Sequence, residues 1–215
     1  MGKLEAKGAV ARMLGGAGGN EVTHAGKPQA GHGLTAAGVY QAADLGQTAR
    51  HDEGERVIAR AGTGRDAAHK RLYELAQKGE DFPVDINGEI IYYVGPAPAK
   101  PGHAVGPAGP TSSYRMDKYT PTLLDMGLKG MIGKGARSQE VIDAIVRNHS
   151  IYFAAIGGAA ALISKSIRSD ELICYDDLGT ESIRRYTVED FPCIVVIDCK
   201  GNNIYETEPK KYCTE

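Results

Sequence analysis

Three consecutive hydroxyls, Thr111, Ser112 and Ser113, follow a Gly109-Pro110 turn, and Arg115 follows them after one tyrosine. Backbone amides and hydroxyls in such a turn form a concave, donor-rich surface that suits an anion. The arginine adds a planar fork that matches a carboxylate. The plainer reading of the same residues is a Ser/Thr-capped turn that opens a helix. Three further segments carry related chemistry. Gly64-Arg65-Asp66 opens a helical stretch, with His69 one turn on from Asp66. Gly133-Lys134-Gly135 and Gly157-Gly158 each follow an apolar run. Two arginines, a lysine and several hydroxyls brought together would hold a small dianion such as a dicarboxylate. Each piece also has a bland reading. Arg65 and Asp66 make a local ion pair of little worth. Lys134 is a solvated turn residue, and the Gly157-Gly158 pair serves close helix–strand packing. His69 either hydrogen-bonds Asp66 or shuttles protons.

The elements that must position these residues are legible from about Gly54 onward. Helical apolar spacing covers 66–77, with Gly79 just beyond, and recurs at 116–126 and 138–148, the latter with Ser138 as N-cap. An Ala-rich helix is expected at 159–165. Strand character marks 89–94, 128–132, 151–156, 172–175, 184–188 and 193–198. The proline-spaced stretch 96–107 reads as an extended crossing, and 201–203 as a turn. Strands alternating with helices argue an α/β fold with parallel pairing. In open α/β sheets ligands gather at the carboxyl ends of strands and at helix N-termini, which is where all four segments fall.

Residues 1–52 are unlike the rest. They hold 11 of the 28 glycines and one aromatic residue, Tyr40. Such a stretch offers little apolar surface to offset its ordering entropy, so an atypical leader is expected there: a disordered segment, a poorly packed extension, or translated sequence that is not natural coding sequence. His24, His32 and His51 lie in this stretch, too scattered to be argued as ligands. The 215 residues carry a formal net charge of −2 with both signs mixed, which offers no nucleic-acid footprint. No run is apolar and long enough for a membrane helix, and no secretory signal opens the chain. A cytoplasmic location follows as the expectation. Cys174, Cys193, Cys199 and Cys213 have no zinc or iron–sulfur spacing and read as small buried hydrophobes. The full P-loop pattern around Lys134 is absent, as is G-x-G-x-x-G at Gly157.

Six stretches in order, GRDAAHKRL (64–72), YYVGPAPAKPG (92–102), GPTSSYRMD (109–117), KGMIGKG (129–135), AAIGGAAAL (154–162) and FPCIVVIDCKGNN (191–203), resemble the C-terminal domain or β subunit of iron–sulfur hydro-lyases. That family comprises class I fumarases and L(+)-tartrate dehydratases. The resemblance implies a swivelling β/β/α domain over residues 53–207, preceded by the Gly/Ala-rich extension and followed by a tail at 208–215. It implies a 4Fe–4S cluster carried by a partner α subunit in a hetero-oligomer of the α2β2 kind, with a dicarboxylate as substrate. By motif, Thr111 resembles the hydroxyl that takes the carbon-bound proton. His69 matches an active-site histidine, with Asp66 to orient it. Arg65, Arg115, Lys134 and Ser112 resemble the groups that hold substrate. The implied reaction is reversible hydration of fumarate to (S)-malate, toward which the stretch YRMDKYTP (114–121) tilts. Conversion of L(+)-tartrate to oxaloacetate shares the same motifs, and a non-catalytic dicarboxylate- or partner-binding module is the reading from another class. Family members carry a strand region and a longer segment before the RDxxH motif. Here the match starts near Gly54, so a first strand is expected to be missing or replaced.

Overall fold

The structure is a computed structural model that describes residues 10–11 and 58–213. Residues 12–57, most of the expected leader, lie outside the described part. Eight strands form one sheet: β1 (Val10–Ala11), β2 (Ile58–Thr63), β3 (Ile90–Tyr92), β4 (Gly130–Gly133), β5 (Ile151–Ala154), β6 (Ile167–Cys174), β7 (Ile183–Glu189) and β8 (Cys193–Ile197). Their order is β1-β8-β5-β4-β3-β2-β7-β6. The central four, β2 to β5, are parallel neighbours in chain order. Antiparallel β8 flanks β5, and antiparallel β7 and β6 extend the sheet beyond β2. The α/β class expected from alternation therefore holds.

Alternation along β3 shows why the sheet is buried on both faces. Ile90, Tyr92 and Val94 join one apolar cluster with Ile132, Ile151, Phe153 and Tyr186. Ile91 and Tyr93 point the other way and join Met131, Tyr152 and the buried faces of three helices. These helices are α1 (Asp66–Lys78), α2 (Thr120–Asp125) and α3 (Gln139–Arg147). Two more follow, α4 (Ala160–Ile163) and α5 (Ile204–Lys210). Helix α1 ends on Gly79 at φ 68°, whose amide and that of Glu80 close onto the last-turn carbonyls.

Several expectations are refined. Ile58–Thr63, just before the RDxxH motif, is a strand in the sheet interior, paired with both β3 and β7; the first strand expected to be missing or replaced would fall ahead of it, outside the described residues. The short Ala/Gly-containing sequence of Ile58–Thr63 gives little local strand signal. The helix expected at 116–126 is divided into a 3-10 turn, Ser113–Met116, and α2, because Pro121 sits at the first helical turn and starts a new helix there. The Ala-rich helix is one turn that passes into a 3-10 turn at Ser164–Ser166. The stretch 96–107 is not a simple crossing. It folds back, with the Gly106 amide on the Ala97 carbonyl and the Ala97 amide on the Pro107 carbonyl. Helix α5 runs across the boundary expected at 207. Cys193 and Cys199 are buried as expected, but Cys174 is partly exposed and Cys213 exposed. Among the described residues no helix is long and apolar enough to cross a membrane.

Candidate active site

Three of the four parallel strands, β2, β4 and β5, end at a segment singled out by chemistry. Arg65 follows β2, Gly95 follows β3, Lys134 follows β4, and Gly157 follows β5. The hydroxyl turn is docked across these ends. Val94 bridges Pro110, and the Thr111 amide donates to the Tyr93 carbonyl at 2.7 Å. Ser112 bridges Lys134 in parallel register. The Ser113 amide donates to the Lys134 carbonyl at 2.9 Å, and the Lys134 amide donates back to Ser113 Oγ at 3.0 Å. Close approach here requires Gly133, since a Cβ there would lie 1.9 Å from Ser113 Oγ and 2.9 Å from Tyr93 Cδ2. A Cβ on Gly157 would lie 3.9 Å from Lys134 Nζ, which places the ammonium beside the loop after β5. The Ala108 amide donates to the Ala160 carbonyl, tying the start of the hydroxyl turn to α4.

The RDxxH segment supplies the other side. Arg65 stands at the N-cap of α1 with its guanidinium against Gly95, where a Cβ would lie 2.6 Å from Nη1. Its Nη1 is 3.6 Å from Glu181 Oε1, and Glu181 Oε2 accepts the Ala67 amide at the helix start. The Arg65 partner is thus Glu181 and not Asp66. Asp66 is held by Arg115, whose Nε donates to Oδ1 at 3.0 Å. Arg115 Nη2 lies 2.8 Å from Oδ2, close for charge but off the hydrogen-bonding direction. The expected Asp66–His69 hydrogen bond is replaced by another. His69 Nδ1 lies 2.9 Å from the Arg65 carbonyl, which fixes the proton on Nδ1 and leaves Nε2 as an acceptor. Nε2 is buried and has no hydrogen-bond partner among the described residues, and the same holds for Arg65 Nε. His69 is fully buried, its ring edge-on to Tyr93 at 5.1 Å. Burial, reinforced by the charge of Arg137, pulls its pKa down to about 4, so the ring is neutral at physiological pH.

Three residues behind this surface escaped the sequence reading. Arg137 is buried, pairs with Asp117 Oδ1 at 2.7 Å, donates to Thr120 Oγ1 at 2.9 Å, and lies over the rings of Tyr93 and Tyr152 at 5.4 and 5.0 Å. Tyr152 reaches Ser113 Oγ, and Glu181 closes α1 as described. None has a local motif. Asp117 with Arg137, twenty residues apart, becomes a pair only through the docking of the hydroxyl turn on β4. A separate open hollow of about 400 Å³, lined by Arg71, Leu75, Phe82 and Tyr175, holds none of the predicted site residues. Among the described residues no three His, Cys, Asp or Glu side chains gather as a metal site would require.

The fold and site thus define an α/β domain that presents cations, hydroxyls and a neutral histidine at the carboxyl end of a four-strand parallel centre. A sequence profile of the family described as Fumarase C-terminus matches residues 42–208. The chain belongs to that family. It is 42% identical over 153 residues to the aerobic class I fumarate hydratase of Escherichia coli K12, an alignment covering 70% of this chain and 28% of that protein. The anaerobic class I fumarate hydratase of the same strain is 41% identical over 152 residues, with the same coverage. A Methanocaldococcus jannaschii protein provisionally named L(+)-tartrate dehydratase subunit beta is 35% identical over 155 residues, covering 69% of this chain and 80% of that protein. The chain spans little more than a quarter of the fumarate hydratases it matches and most of the β subunit.

Proposed function

We propose that this chain is the β subunit of a hydro-lyase that reversibly hydrates fumarate to (S)-malate, together with an α subunit. The observation that carries the reading is the junction of Thr111, Lys134 and the RDxxH segment at one end of the parallel strands, within a chain of the fumarase C-terminal family. The family implies a 4Fe–4S cluster. The described residues do not fit one: no ligand group gathers, and Cys193 and Cys199 are buried about the two ends of β8. We therefore place the cluster on the α subunit. The swivelling β/β/α type, a cytoplasmic location and an α2β2 assembly belong to the same reading.

In this reading the groups of this chain bind the dianion and handle a proton. Among the described residues Lys134 and Arg65 supply positive charge without a tight acid partner, since Arg65 meets Glu181 only at 3.6 Å. Arg115 is anchored on Asp66 and would turn one face of its fork to a substrate carboxylate. Ser112 lines the same turn. Thr111 takes the proton from carbon as malate is dehydrated and returns it as fumarate is hydrated. An alcohol is a weak base in water, and adjacent cations favour its alkoxide. Neutral His69 serves as a hydrogen-bond acceptor through Nε2, with Asp66 holding Arg115 as well as contributing charge nearby. The same cations would stabilise negative charge developing on the substrate carboxylate.

Tartrate dehydration is the second reading. It is supported by the likeness to the Methanocaldococcus protein, 80% of whose length is covered. The test is anaerobic co-expression with a cluster-bearing α chain, followed by parallel assays of fumarate loss and L-tartrate conversion. Fumarate turnover that needs both chains supports the proposal. Tartrate turnover alone transfers the assignment to the second reading, and neither activity in an intact complex leaves a binding module.

A further inference from the structure

The hydrogen bonds around Ser113 have a direction. Tyr152 Oη lies 2.9 Å from Ser113 Oγ and 2.9 Å from the Gly135 carbonyl. A phenol has one proton and a carbonyl only accepts, so that proton goes to Gly135. The phenol oxygen is then free to accept from the Ser113 hydroxyl, whose oxygen accepts the Lys134 amide at 3.0 Å. The relay runs one way, from the Lys134 N–H through the Ser113 and Tyr152 hydroxyls to the Gly135 carbonyl, and uses each of its three donors. Ser113 is fully buried and meets Lys134 directly, at that residue's backbone amide and carbonyl. Behind the relay, the Arg137 guanidinium covers Tyr152 and also Tyr93, whose carbonyl holds the Thr111 amide. Asp117 closes the other end, accepting from Arg137 Nε and from the Ser138 amide, both at 2.7 Å.

We propose that Ser113 is the positioning residue that sets Lys134 against the Thr111 turn, acting through the Tyr152 relay. Ser112 carries the substrate side of the turn and Ser113 the structural side, so adjacent hydroxyls have opposite duties. The absence of room for a Cβ at Gly133 makes the relay sensitive to small displacements.

The kinetic part of this proposal rests on Lys134 holding a substrate carboxylate, so the test has an arm that needs no activity. In the full chain, amide hydrogen exchange at Lys134 should quicken about tenfold or more in Ser113→Ala, and by less in Tyr152→Phe, while α3 amides keep their wild-type rates. An unchanged Lys134 amide in Ser113→Ala overturns the proposal. In the α-reconstituted complex, Ser113→Ala should raise KM for fumarate about tenfold with kcat within about threefold, and should add nothing in a Lys134→Ala background. Independent, multiplying effects of the two substitutions would also overturn it. A wild-type complex that turns over neither fumarate nor tartrate defeats the functional reading, and the exchange arm then decides the positioning role alone.

Discussion

Thr111 occupies a half-buried position where its backbone is held by Tyr93, leaving its hydroxyl with little packing duty. Thr111→Ala should therefore abolish turnover in the reconstituted complex while changing stability by less than about 1 kcal/mol, measured by thermal melts alongside activity. Near-normal turnover would remove Thr111 as the base. Gly133→Ala should behave differently. The new Cβ must displace Ser113 and Tyr93, so a loss of about 1–3 kcal/mol is expected together with lost activity. Retained stability would mean that the turn yields more easily than its contacts imply. His69 gives a pH signature. Its folded pKa of about 4 lies below the ordinary histidine value of 6.5, so the unfolded chain binds the proton more readily. The stability that neutral, buried His69 allows is intact above the unfolded pKa. It falls away as pH drops from about 6.5 toward 4. Between about pH 7 and pH 5 this should remove about 2 kcal/mol, and denaturant melts of His69→Asn should show a correspondingly shallower slope. An identical slope in the variant would assign the acid sensitivity to other groups.

At the scale of elements, helix starts and strand ends do the positioning. Helix α1 begins where β2 ends, and its first turn is closed by Glu181 from the 3-10 segment Asp176–Glu181. Glu181→Ala should cost about 1 kcal/mol as a lost cap and should also release Arg65. A melting curve identical to wild type would show that water replaces the carboxylate at no cost. Most elements were legible because their signals are local. The helical spacing of 66–77 and 138–148, and the apolar runs at 151–156 and 193–198, depend on neighbours a few residues away. Ile58–Thr63 was not legible, because an interior strand with Ala and Gly gains its stability from β3 and β7 and not from its own propensity. Pro121 broke the 116–126 helix for a reason that a strict proline rule would have found.

Across the whole molecule, one end of the sheet combines the candidate site with exposed apolar side chains. Tyr114, Ile156 and Leu162 are each more than 60% exposed, and the first follows the hydroxyl turn while the others flank the Gly157-Gly158 loop. Apolar groups ringing a charged site fit a surface that a partner covers. Leu162→Glu and Tyr114→Glu should lower recovery of the α complex in co-purification while leaving the melting temperature of this chain unchanged, because neither packs in the core. Full recovery would place the α contact elsewhere.

The sequence by itself determined the α/β class, most element positions and the membership of four short segments in one chemistry, since these rest on periodicity, turn residues and ordered motifs. It could not determine which charges face each other. Arg115 with Asp66 spans 49 positions, Tyr152 with Ser113 39, and Glu181 with the start of α1 114. Such pairs exist only once the strand order has set β2, β3, β4 and β5 side by side and folded the hydroxyl turn over their ends. Tertiary structure alone also decided the state of His69. Its spacing from Asp66 suggested a hydrogen bond to that carboxylate or a proton shuttle, but burial disfavours the imidazolium, and the Arg65 carbonyl holds the neutral tautomer in place.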